Sequence, residues 1–421
     1  PVACRLLFRH HLTFFLSLGL SIAKGLPPCG PRSKPQALNS KRIMSPFLCF
    51  IITLLLGLGL LGHYACIYLP LLRSKQDADS PSSDQQEGIS VLLYTSNQLD
   101  PLRNCLSVLL SQDYPAYQVI VIDDGSTDGT YEWIQQQLSE CERLHYTFVP
   151  ENTRLPNHRQ LAFMLGAKAA KHDILLFTEA TCYPLTDQWL NEMAKQYASP
   201  QTEVVIGYCR YPEEAGYLQR RIAFDNLKQG VRLLAAAKAG HPYAADGRNL
   251  SYRKPLFFQQ KEGFLSQLVR QSGEQARFVR QVAHRHNTSA LYTPQSQTEM
   301  EPITDQAAWK KYRQLRFEAE HLHGLLPTLY ACESISFPLF HLAAIATCLL
   351  AIPTHQIGLA LGALSLLLLR LLLGTLLLRK LSLRLGQPIS RRWIPWLEWT
   401  QSASDIRLLF TQSLLFQRKR Q

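Results

Sequence analysis

Residues 117–138, YQVIVIDDGSTDGTYEWIQQQL, decide how the chain reads. The apolar, β-rich run YQVIVI stops at two acids, Asp123 and Asp124. Gly125 and Gly129 permit tight turning, and Ser126, Thr127 or Asp128 offers a side-chain oxygen to cap a following helix. The segment therefore reads as strand, turn and helix. An acid at a strand end often stands at the mouth of a site, although an ordinary connection with a solvated acidic cap fits the same letters. The turn has neither the G-x-G-x-x-G spacing of dinucleotide-binding loops nor the G-x-x-x-x-G-K-[ST] pattern of phosphate loops. A dinucleotide oxidoreductase is accordingly a poor fit.

Similar patterns flank this segment. ISVLLYTS (89–96) is a strand ending in polar residues, followed by the helical LRNCLSVLLSQ. HYTFVP (145–150), HDILLFTEA (172–180) and the weaker ALYTP (290–294) add strands. Strands alternating with helices predict an α/β domain with a mostly parallel sheet. Ligands of such sheets sit at the C-terminal strand ends. In ILLFTEATCYP (174–184) the apolar run ends at Glu179, and Thr181 lies two residues on. Two carboxylates so spaced would hold a cation; here the second is a neutral hydroxyl.

Apolar segments bracket this block. Residues 1–43 read as an N-terminal extension, either a signal peptide or sequence upstream of a start at Met44, with the second preferred. Residues 44–72 are long and uncharged enough to form a transmembrane helix, which needs about 20 residues. Residues 73–87 are a polar linker beginning RSK. Residues 334–378 form two further apolar runs joined by THQ, a transmembrane helical hairpin that carries Arg370 in its second arm. That arginine either faces a partner helix or marks a shallow span. Residues 379–421 hold nine Lys/Arg against two acids and read as a basic amphipathic tail in the membrane interface. The formal net charge of +12 calls for an anionic partner. Its concentration beside an apolar run points to lipid headgroups and not to nucleic acid. The basic flanks place the soluble block, 88–325, on the cytoplasmic side of a multi-pass cell (inner) membrane protein.

The ten cysteines show no C-x-x-C pairing, which fits reduced, mostly buried thiols and excludes the usual zinc patterns. Sequons at Asn249 and Asn287 are short enough to arise by chance.

The run VLLYTSN…LRNCLSVLLSQDYPAYQVIVIDDGSTDGT resembles the start of a family 2 glycosyltransferase of the GT-A, nucleotide-diphospho-sugar transferase-like fold. Further matches are ILLFTEATCYP, GRNLSYRK (247–254), SGEQ (272–275) and WKKYRQLRF (309–317). Residues 88–325 would be that domain, flanked by transmembrane helices as in membrane-anchored relatives. The resemblance implies a nucleotide-sugar donor and transfer to an acceptor hydroxyl with inversion; spans on both sides hold the domain at the bilayer, so a glycan or lipid-linked acceptor is expected. It implies that Tyr94 and Ser96 line the nucleotide pocket, with Asp124 accepting from the base and Asp123 supporting the turn. Arg159, Arg313 and Arg316 would lie near the diphosphate, and Arg248 in an acceptor-side loop. Glu179 and Thr181 stand at the metal position, implying Mg²⁺ or Mn²⁺. Glu274 and Gln275 stand where the family has Glu-Asp, the second acid being the general base.

The chemistry explains why such residues are wanted. Displacing a nucleoside diphosphate from an anomeric carbon puts negative charge on the leaving group, which a divalent cation or Lys/Arg stabilises. The acceptor hydroxyl must lose a proton to a carboxylate base. Two positions depart from the pattern. Thr181 offers no carboxylate, and the Gln275 amide cannot act as a base. Three readings follow: an active membrane-bound glycosyltransferase with a weakened metal site, a catalytically degenerate relative that binds a nucleotide or partner at the membrane, and an unrelated transporter or anchor protein.

Overall fold

A computed structural model describes residues 45–73, 87–150, 157–212, 216–259, 274–320 and 325–418. The proposed extension 1–43 and nearly all of the linker fall outside the described residues. In chain order, helix α1 (Pro46–Arg73) precedes an alternating stretch: β1 (Ile89–Thr95), α2 (Leu99–Leu110), β2 (Tyr117–Asp123), α3 (Thr130–Leu138), β3 (Leu144–Phe148), α4 (His158–Ala169) and β4 (Ile174–Glu179). There follow β5 (Cys182–Pro184), α5 (Trp189–Lys195), β6 (Val204–Ile206), β7 (Cys209–Arg210) and the long α6 (Tyr217–Lys238). Next come β8 (Leu250–Arg253), α7 (Lys254–Gln259), α8 (Glu274–Val282), β9 (Thr288–Ala290), β10 (Thr298–Met300) and α9 (Gln306–Glu320). Three late helices close the described chain: α10 (Leu325–Ala351), α11 (Ile357–Arg384) and α12 (Ile394–Arg418).

The main sheet has seven strands in the order β3-β2-β1-β4-β8-β6-β9, and only β8 runs against its neighbours. Each parallel pair among β1–β4 is joined through a helix, as a parallel crossover requires. Every residue of β2 is buried, as expected for a sheet covered on both faces. A small second sheet, β5-β10-β7, sits beside the end of β4. One expectation is corrected here: the weak strand expected at 290–294 is Thr288–Ala290, whereas Arg248 stands in the turn that leads into β8.

Leu93, Leu106, Ile134, Leu176 and Trp189 fill one face of the sheet. The other face holds Leu92, Ile122, Phe163, Phe177 and Phe224, and the same cluster runs on into Tyr64, Tyr68, Leu71, Leu378 and Leu381 at the ends of α1 and α11. Fully burying such a side chain contributes roughly 1.5–3 kcal/mol, so the sheet domain and the apolar helices share one core. Helix α4 lies close on the sheet because residue 166 is glycine: a Cβ there would meet Ile122 Cδ1 at 2.3 Å. That close approach sets where the start of α4 stands.

Three helices, Pro46–Arg73, Thr328–Ala351 and Ile357–Arg384, are long and apolar enough to cross a membrane. Leu342, Leu349, Leu361 and Leu368 point outward on the last two. Arg370 faces partner helices. It is buried, pairs with Glu398 of α12 at 2.9 Å, contacts the Tyr64 hydroxyl, and lies 4.2 Å from the Phe337 ring centre. Helix α12 accordingly departs from a tail resting on the interface: Ile394, Leu397, Glu398, Gln401 and Asp405 form a face buried in protein. Glu333 of α10 takes Lys228 at 2.8 Å and Arg232 at 3.0 Å from α6, and His63 at 3.1 Å from α1. The Lys228 and Arg232 ion pairs fasten the sheet domain to the apolar helices.

Candidate active site

The loops after β1 and β2 are tied to each other. Asn97 has φ 51°, a left-handed conformation that Asn tolerates. Its backbone N–H donates to Ser126 Oγ at 2.9 Å, and its side-chain oxygen accepts from Thr127 N at 2.8 Å. Asp123 is buried beneath the turn, where it accepts from Ser126 N at 3.1 Å and from the Tyr146 hydroxyl at 3.1 Å. Burial and the Asp123 charge push the Tyr146 hydroxyl up, so it stays a donor.

Above this base, the strand register brings side chains together. Tyr94 lies opposite Glu179, and Thr95 opposite Asp123. The Tyr94 hydroxyl donates to Asp124 Oδ2 at 2.7 Å. Burial, then this bond, pushes the hydroxyl up and keeps its proton. Ser96 Oγ donates to the Asp124 carbonyl at 3.1 Å, and His158 Nδ1 lies 3.1 Å from Asp124 Oδ1. Helix α4 opens with Asn157, whose side chain accepts from Gln160 N at 3.0 Å. That cap presents His158 and Arg159 in the first turn. Arg159 is ion-paired with Glu179, and its guanidinium lies 5.2 Å from the Tyr94 ring centre and 5.5 Å from that of Phe163. Tyr94, Ser96, Asp124, Arg159 and Glu179 thus form one partly open cluster at the C-terminal edge of β1, β2 and β4. Thr181 follows in the turn to β5, where its carbonyl accepts from Glu301 N at 2.8 Å.

A second group stands around β8. Arg248 is buried and held by Asp246, with its Nε 2.8 Å from Asp246 Oδ1. Burial alone would raise the Asp246 carboxyl, but Arg248 holds it below the usual carboxylate range. The Arg248 guanidinium lies 5.5 Å from the Tyr312 ring centre, and that of Arg316 lies 5.6 Å from it. Burial pushes the Tyr312 hydroxyl up to about 12, and Glu179 is among the charges acting on it. This side is therefore within electrostatic reach of the strand edge. Gln275 is buried, and among the described residues neither amide atom has a hydrogen-bond partner. It packs on Gly247, where a Cβ would lie 2.8 Å from Gln275 Cγ. Glu274 begins α8, and its side chain lies outside the described set.

The two late arginines depart from the sequence expectation. Arg313 is buried between Asp225, at 3.0 Å, and Asp405, and Arg316 also pairs with Asp225. In this structure their guanidinium groups answer carboxylates of α6 and α12 and not an open diphosphate site. The physical reason is that α6 carries a buried acid which these cations must neutralise. Both sequons are buried too: Asn249 bonds Trp189, Tyr208 and Ser296, and Asn287 bonds Glu203. Cys105, Cys182 and Cys209 are buried thiols.

Sequence reasoning passed over His158 and Asp246 as site members. Each stands within two residues of an arginine that had been singled out, and that adjacency was the available signal.

Residues 90–258 match the family model described as glycosyl transferase family 2. The chain is 27% identical over 144 residues to glycosyltransferase AglE of Haloferax volcanii, a match covering 33% of this chain and 46% of AglE. It is 32% identical over 97 residues to a poly-beta-1,6-N-acetyl-D-glucosamine synthase of Staphylococcus aureus, covering 23% of this chain and 22% of that protein. The chain thus spans less than half the length of these curated relatives. The mannosyltransferase PcManGT from Pyrobaculum calidifontis, solved in complex with GDP-Man and Mn²⁺, superposes with a TM-score of 0.55 at 18% identity, over 86% of this chain and 98% of that one. At that identity the likeness speaks to the fold. The match over residues 90–258, together with the likeness in fold, shows that the chain carries a glycosyl transferase family 2 domain of the GT-A fold.

Proposed function

We propose that the protein is a membrane-bound glycosyltransferase that moves a sugar from a nucleotide-sugar donor to an acceptor hydroxyl. The observation that carries this reading is the Tyr94–Asp124–Arg159–Glu179 cluster at the C-terminal sheet edge, where ligands of parallel sheets bind. Asp124 and Ser96 would receive the nucleotide, and Arg159 would meet the diphosphate. In the reaction the bond from the anomeric carbon to the diphosphate oxygen breaks, and its electron pair leaves with the diphosphate. The acceptor oxygen bonds to that carbon from the opposite face, inverting it, and its proton passes to a carboxylate. Glu274, at the start of α8, is the proposed base.

The membrane setting belongs to the same proposal. Arg73 at the end of α1 and the basic residues after α11 support a cytoplasmic sheet domain in a multi-pass inner-membrane protein. A lipid-linked acceptor suits a site fastened to apolar helices. The test is nucleoside diphosphate release by the detergent-solubilised full chain across a panel of nucleotide sugars, with membrane extract as acceptor source. Release that Glu274→Ala reduces at least about 100-fold supports the reading, in line with the usual weight of a general base.

Gln275 favours a second reading. A buried amide at the base position, without a hydrogen-bond partner among the described residues, suits a degenerate relative that binds a nucleotide without turning it over. Nucleotide binding with no release from any donor would select that reading, and absence of binding would remove both.

A further inference from the structure

The side chains at the strand edge show whether a divalent ion fits there. Such ions take hard oxygen ligands, commonly several carboxylates. Glu179 gives its carboxylate to Arg159, and Thr181 supplies only a neutral hydroxyl. Among the described residues no group of three or more His, Cys, Asp or Glu side chains is placed to hold a metal ion. These residues do not fit a divalent cation.

We propose that the Arg159 guanidinium stands in for the ion as the counter-charge to the donor diphosphate, so that donor binding needs no divalent metal. The proposal rests on the transferase reading given above. Three observations fix the guanidinium in place: its pairing with Glu179, its position over the rings of Tyr94 and Phe163, and its origin in the first turn of α4 after the Asn157 cap. An arginine is charged at every working pH, and its planar fork matches two phosphate oxygens at once. The start of a twelve-residue helix adds a positive field of the same sign. As the leaving diphosphate gains charge, a donor already oriented by Glu179 and two aromatic rings stabilises it without reorganising. Glu179 becomes a positioning residue that aims Arg159, in place of a metal ligand.

The experiment is a calorimetric titration of UDP and of GDP into the detergent-solubilised full chain. It is run first with excess EDTA and then with Mn²⁺ or Mg²⁺. The expected result is binding of at least one nucleotide whose Kd agrees within about twofold between the two conditions. Arg159→Gln should weaken binding about tenfold or more in both, the scale of a lost charged hydrogen bond. Arg159→Lys should recover part of the loss. Binding that appears only with the metal would overturn the proposal while leaving the transferase reading standing. Unchanged affinity in Arg159→Gln would also overturn it. No binding in any condition would overturn both.

Discussion

The Tyr94 hydroxyl donates to the Asp124 carboxylate at 2.7 Å, linking the ends of two neighbouring parallel strands. The bond fixes the carboxylate that the account gives to the nucleotide, and the same tyrosine ring supports Arg159. Tyr94→Phe removes the bond and keeps the ring. Nucleotide affinity should fall about fivefold, equivalent to one ordinary hydrogen bond. Titration of UDP and GDP into the variant checks this, and an unchanged Kd would detach Tyr94 from the site.

Arg370 and Glu398 are both buried between helices that are apolar on their outer sides. Removing one partner leaves the other charge buried and uncompensated, at a cost of about 3–5 kcal/mol. Arg370→Met should therefore lower the thermal unfolding temperature in detergent strongly, and Arg370→Met with Glu398→Leu should recover most of the loss. Equal stability of the single variant and the wild type would show that the pair is not needed.

Asp225 carries a pH dependence whose sign is fixed. Burial alone would raise its carboxyl, but Arg316 and Arg313 outweigh burial and hold it well below the usual range. A depressed folded-state value means the contribution is fully present above about pH 4, the unfolded carboxylate value, and is lost as pH falls toward the folded one. Unfolding temperature measured between pH 6 and pH 3 should decline at the acid end. Asp225→Asn should start lower and decline less.

Helix α6 meets Tyr208 through a glycine: a Cβ at Gly230 would sit 2.2 Å from the Tyr208 ring. The ring cannot move freely, because its hydroxyl donates to Gln387 at 3.0 Å. Gly230→Ala should destabilise the protein by about 1–3 kcal/mol through overpacking, despite alanine's better helix propensity. Chemical denaturation of both forms decides it.

These relationships were unevenly legible in the amino-acid sequence. Strands β1, β2 and β4 are continuous apolar runs of six or seven residues, and their polar ends could be read directly. Strands β5, β6, β7 and β10 have two or three residues each, too short for any periodicity to register. Helix α6 was missed for a different reason. It buries Asp225, Asn226, Lys228 and Gln229, so its pattern looks solvated. Its ion partners lie on α9 and α10, about ninety residues or more away in the chain. The same distance hides the partners of Arg313, because local sequence does not display the acids it meets. The Arg159–Glu179 contact is hidden too, because it arises only when α4 closes on the sheet.

The central claim is that the edge built from Tyr94, Asp124, Arg159 and Glu179 receives a nucleotide. Titration of UDP and GDP into the wild type and into Asp124→Ala, both in detergent as full chains, tests it most directly. The account predicts saturable binding of at least one nucleotide by the wild type and a loss of about tenfold or more in Asp124→Ala, with the unfolding temperature little changed. Equal affinity in the two proteins, or no binding by the wild type, would contradict it.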